Sequence, residues 1–151
     1  MTQLGKPIKP TESSRDLAAL AEDAIRTFRE ENPEPYQELV KVFEGKSADV
    51  ALLGQGRFHI AIQNGKVGIE PDAVRVEVST GRGAVAPETL IAIVEGKLTP
   101  LEAFFKGDLI ARANSADLHQ AYNYFVKFSD AALRSERLQE ILVRFRQMCK
   151  V

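Results

Sequence analysis

Hydrophobic positions along this chain fall into blocks of different period. In the first block, Leu17, Leu20, Ala21, Ala24 and Phe28 recur at helical spacing, and Ser13 or Ser14 can cap the helix they predict. Asn32, Pro33 and Pro35 end it. A shorter helix with Leu39, Val40 and Phe43 on one side follows, stopped by Gly45. The period then drops to two. Ala48 to Leu53 reads as a short apolar strand, and Gly54-Gln55-Gly56 as a turn. Phe58, Ile60 and Ile62 alternate with His59, Ala61 and Gln63, so one face of that strand is buried. Asn64-Gly65 is a strong hairpin signal leading to Val67 and Ile69, and Val74, Val76 and Val78 alternate in a further strand.

From Pro87 the helical period returns. Leu90, Ile91, Ile93 and Val94 predict a short helix closed by Gly96. Thr99-Pro100-Leu101-Glu102 is a capping box with proline at the first helical position, and Leu101, Phe104 and Phe105 form one apolar face behind it. Leu109 to Ala113 is strand-like. Asn114 can cap a helix carrying Leu118, Ala121, Tyr122 and Phe125. A last helix groups Leu138, Ile141, Leu142, Phe145 and Met148.

These blocks predict an α+β class: a mostly antiparallel five-stranded sheet with helices segregated on it and extra helices at both ends. A chain of 151 residues is expected to form one domain. Its N-terminal helices would span 12–45, a sheet with an inserted helix pair 48–113, and C-terminal helices 115–149.

Composition narrows the function classes. Lys and Arg number 20 against 21 Asp and Glu, which gives no electrostatic case for nucleic acid. Arg134, Arg137, Arg144, Arg146 and Lys150 bias the last helix positively; a solvated face is the plain reading, and a transient membrane-surface contact the sharper one. No apolar run is long enough to span a bilayer, and residues 1–10 lack the apolar stretch of a signal peptide. The single cysteine, Cys149, falls on an apolar helical stripe and reads as a buried thiol in a reducing cytoplasm.

Catalytic motifs are hard to find. Gly45-Lys46-Ser47 lacks the upstream glycine of a phosphate-binding loop, and Gly81-Arg82-Gly83 reads as a turn. His59 and His119 have no partners at metal-ligand spacing. No catalytic residue, metal or cofactor is expected.

One stretch resembles a known family. Phe58 to Val67 reads F-x-I-x-I-x-N-G-K-V, and after the valine-alternating strand come Glu88-Thr89-Leu90, Glu95 to Pro100, Ala103-Phe104-Phe105 and Lys106 to Leu109. In order and spacing this is similar to the sterol carrier protein 2 family, over roughly Ala48 to Leu118. The resemblance implies a helix-covered sheet enclosing an apolar tunnel for a fatty acid, sterol or other lipid. Its expected lining is Phe58, Ile60, Ile62, Val76, Val78, Leu90, Ile93, Leu101, Phe104, Phe105, Tyr122 and Phe125. The leading expectation is therefore a non-catalytic lipid-binding carrier or presenter. Two alternatives stay open at this point. One is an accessory subunit with a collapsed pocket, docking a protein partner through its C-terminal helices. The other is a small cone-fold isomerase-type enzyme using Tyr36, Tyr122 or Tyr124 with a carboxylate.

Overall fold

A computed structural model describes residues 11–71 and 80–151. The N-terminal arm and the alternating segment with Val74, Val76 and Val78 lie outside the described residues. The elements are α1 (Glu12–Glu31), α2 (Pro33–Val42), β1 (Ser47–Leu52), β2 (Gly56–Gln63), β3 (Lys66–Pro71), β4 (Gly81–Val85), α3 (Pro87–Val94), α4 (Pro100–Lys106), β5 (Leu109–Arg112), α5 (Ser115–Leu133) and α6 (Glu136–Cys149). The class is α+β, as the patterning predicts. The described strands form one sheet in the order β3-β2-β1-β4-β5. Every neighbouring pair is antiparallel except β1 and β4, which run parallel.

Strand β4 corrects the sequence reading. Gly81-Arg82-Gly83 is not a turn: it hydrogen-bonds β1 on one side and β5 on the other. Two glycines around an arginine carry no alternating signal, so its pairing comes from its neighbours. Thr80 secures its start, accepting the Ser47 N–H at 2.9 Å and donating to the Ser47 carbonyl at 2.7 Å. The hairpin between β2 and β3 forms where Asn64-Gly65 predicts it, with φ of 56° and 73°. Glu44 accepts both of that turn's N–H groups, at 2.8 and 3.0 Å.

Cross-strand register sorts the side chains by face. Ala48, Val50 and Leu52 share one face with Phe58, Ile60 and Ile62, and with Val67, Ile69 and Val85. Asp49, His59, Glu70 and Arg82 share the other, where His59 Nδ1 lies 2.9 Å from Asp49 Oδ1. The apolar face carries two buried clusters. Leu17, Leu20, Leu52, Val85, Ile91, Leu138, Leu142 and Phe145 belong to one, and Phe28, Tyr36, Val40, Ile62 and Ala131 to the other, with Phe128 packed against both.

The caps follow the sequence with one exception. Asn114 caps α5, and Thr99 and Glu102 complete a capping box on α4. The cap of α1 is Thr11, two or three residues before the predicted serines, and its hydroxyl accepts the Ser14 N–H at 3.0 Å. Ser14 itself is buried, and its hydroxyl accepts the Arg57 N–H at 3.0 Å, tying α1 to β2. On α6, Arg137 pairs with Glu30, Arg144 with Asp23 and Arg146 with Glu95. These three arginines thus lock α6 onto α1 and the end of α3.

Candidate functional site

The helices do not fill all of the apolar face. Over β1 and β2 they enclose a cavity of about 440 Å³. Its floor is Ala48, Val50, Ile60 and Ile62; α1 contributes Ile25 and Phe28, and α2 with its C-cap contributes Leu39 and Phe43. The last wall is α5, through Asp117, Ala121, Tyr124, Phe125 and Phe128. Those positions step by four, three, one and three, which is one face of a helix. The space exists because small residues sit side by side beneath it. Ala48 pairs with Gly81 across β1 and β4, and Ala113 follows beside them. A volume of this size is in the range of pockets that hold small molecules.

The lining is almost wholly apolar, with a polar rim drawn from one end of the interior strands β1 and β4. Lys46 immediately precedes β1 and Ser47 opens it, Thr80 precedes β4, and Asp117 lies in the first turn of α5. Lys46 Nζ pairs with Asp117 Oδ1. Asn114 Nδ2 donates to the other Asp117 oxygen at 3.0 Å, while Asn114 Oδ1 accepts the Asp117 N–H at 2.8 Å. The carboxylate is thereby held from two sides and almost removed from solvent, at 9% exposure.

Of the lining residues expected from the sequence, Ile60, Ile62 and Phe125 face the cavity. Phe58 and Leu90 pack instead against the first core cluster, and Ile93 is buried at 1% exposure, outside the cavity wall. Tyr122 points away, and Tyr124 takes the inward position on the same helix. The apolar face of α4 also points outward: Leu101, Phe104 and Phe105 are 46%, 42% and 78% exposed. That helix is only seven residues long and docks through Pro100 and the fully buried Ala103, one position off the bulky stripe. Val76 and Val78 lie outside the described residues.

Sequence reasoning missed Ile25, Phe28, Leu39, Phe43, Tyr124 and Phe128. The helical spacing of Ala121, Tyr124, Phe125 and Phe128 carried the signal for α5. Nothing local marks Lys46 and Asp117 as partners. Of the three tyrosines, Tyr36 accepts the Val67 N–H at 3.2 Å, away from the cavity. Tyr124 and Asp117 share the cavity but stand seven residues apart on one helix, about 10 Å along its axis. Among the described residues no group of His, Cys, Asp and Glu is placed to hold a metal ion. None of their helices is long and apolar enough to cross a membrane.

No protein-family model matches the sequence, and no curated protein matches it. Solved structures do. A structure described as a UbiJ-SCP2 ubiquinone synthesis protein aligns with 85% of this chain and 99% of its own, at a TM-score of 0.60 and 14% identity. A crystal structure of sterol carrier protein 2 aligns over 77% of this chain and 95% of its own, at 0.52 and 18%. The fold is that of sterol carrier protein 2. The apo form of the Yarrowia lipolytica protein of that name also matches, over 75% of this chain and 91% of its own, at a TM-score of 0.50 and 14% identity. At such identities the sterol carrier protein 2 likeness is one of backbone architecture, and the cavity must be read from this chain's own side chains.

Proposed function

We propose that this chain is a non-catalytic carrier or presenter of a lipid, held in the cavity between the sheet and α1, α2 and α5. The observation that carries the reading is the cavity itself: about 440 Å³ of space walled almost wholly by aromatic and aliphatic side chains, with its charged groups, Lys46 and Asp117, at one rim. Each methylene moved from water into such a space contributes about 0.8 kcal/mol, so a chain of ten or so offers roughly 8 kcal/mol before ordering costs. No reactive group is needed for that affinity. The sterol carrier protein 2 fold supports the reading, since the solved structures that share it include proteins named for carrying sterols.

A small isomerase-type enzyme is less well supported, because Asp117, the carboxylate in the cavity lining, is already engaged by Lys46 and Asn114. An accessory subunit with a collapsed pocket is disfavoured by the open cavity. Native mass spectrometry of freshly purified protein, followed by uptake of fluorescent lipid probes, tests the proposal. A co-purified lipid mass and saturable uptake are expected. Bare protein that takes up no probe would refute it.

A further inference from the structure

The rim of the cavity is polar but carries no net charge, and that bears on which lipid heads it accepts. This inference rests on the lipid-carrier reading and narrows it. Lys46 brings one positive charge to the rim and Asp117 one negative, and the two are already paired. The second Asp117 oxygen is taken by Asn114. The Thr80 hydroxyl is engaged with both backbone groups of Ser47. Behind this rim the walls are Ile25, Phe28, Val50, Ile60 and Phe128, where no ion can be solvated.

Consider a fatty-acid anion with its tail in the cavity. Its carboxylate can reach an ammonium only by displacing Asp117 from Lys46 or by crowding beside it. Two carboxylates on one cation repel, and Asp117 has little water to fall back on. A hydroxyl head meets no such conflict. Its oxygen accepts from one of the two remaining N–H groups of Lys46, and its proton is donated to an Asp117 oxygen, leaving the ion pair intact.

We propose that Lys46 and Asp117 form a head-group filter that favours lipid alcohols, aliphatic or polycyclic, over fatty-acid anions of matched size.

The test measures equilibrium binding of radiolabelled hexadecan-1-ol and palmitate to delipidated protein at neutral pH. The alcohol is expected to bind about tenfold more tightly than the acid. Asp117→Asn turns the rim net positive and is expected to reverse the order, with palmitate gaining about tenfold and the alcohol losing affinity as its charged acceptor becomes an amide. Lys46→Met leaves the carboxylate uncompensated and is expected to weaken palmitate further, which keeps the idea testable should Asp117→Asn fail to fold. Circular dichroism melts establish that each variant is folded. Palmitate binding as tightly as the alcohol to the native protein, or a ratio unmoved in the folded variants, overturns the filter while leaving lipid carriage standing. Absence of binding by either lipid to the native protein overturns both.

Discussion

Lys46 and Asp117 stand 71 positions apart in the chain and form an ion pair at the rim of the cavity, joining the start of β1 to the first turn of α5. The pair closes one edge of the fold, because α5 is the cavity wall facing α1 and α2. Lys46 keeps 37% of its side-chain exposure and Asp117 only 12%, so the pair lies between the surface and buried limits. A double-mutant cycle with Lys46→Met and Asp117→Asn is expected to return a coupling of about 1 kcal/mol, above the surface median and below a fully buried pair. Chemical denaturation of the four proteins checks it, and a coupling indistinguishable from zero would dissociate α5 from β1.

Substitution at Ala48 should lower lipid uptake, and substitution at Phe105 should not. Ala48 is on the cavity floor, whereas Phe105 lies on the outward face of α4. Ala48→Phe fills space a ligand would need, and displacing even two methylenes at about 0.8 kcal/mol each costs roughly tenfold in affinity. Phe105→Ser should leave uptake unchanged. Titration with a fluorescent lipid probe reads both, and equal losses would place the ligand elsewhere.

The seam between α1 and β2 depends on a missing side chain. A Cβ at Gly56 would lie 2.6 Å from Ser14 Oγ and 3.0 Å from the Ser14 backbone N and Cα, inside the first turn of α1. Gly56→Ala is therefore expected to destabilise by about 1–3 kcal/mol, the usual range for overpacking. In a chain of this size that lowers Tm by roughly 2–4 °C per kcal/mol. A thermal melt superposable on the native one would show that α1 moves aside without cost.

Acid should loosen α6 from α3. Arg146 hydrogen-bonds the Glu95 carboxylate, with Lys97 adding to the effect, and together they hold its pKa below the usual carboxylate range. A depressed folded-state pKa means that this contribution is present above the unfolded value and is lost as pH falls through the folded one. Glu95→Gln should therefore narrow the gap in Tm between neutral and acidic solution, relative to the native protein. Melts recorded down to the acid limit decide it; a gap that stays the same would assign the acid sensitivity to other carboxylates.

Cys149 is buried on the inner face of α6, and that burial, with a smaller contribution from Glu88, pushes its thiol pKa up. The reactive thiolate is scarce and shielded. Alkylation by iodoacetamide in mild alkali is expected to be slow in the native protein and fast after denaturation. Equal rates in both states would mean that the end of α6 opens readily.

Much of this molecule was legible along the chain. The period-two alternation of Phe58, Ile60 and Ile62, the Asn64-Gly65 turn, the Thr99 capping box and the Asn114 cap each arise from contacts within a few residues, and each appears where local chemistry places it. So does the α+β class, since the long helical blocks and the alternating run of β2 differ in period. Other features were settled only when distant segments met. Strand β4 carries glycines where a pattern would be, and exists because β1 and β5 offer hydrogen bonds on both sides. Which apolar stripe faces inward was also undetermined: α4 turns Phe105 to solvent because Ala103 permits closer packing, and α5 turns Tyr124 rather than Tyr122 to the cavity. Periodicity reports that a face is apolar, but whether that face meets a core, a cavity or water depends on what the rest of the chain sets opposite it. The pairing of Lys46 with Asp117 is the clearest case, since two charges so far apart in sequence become partners only through the tertiary fold.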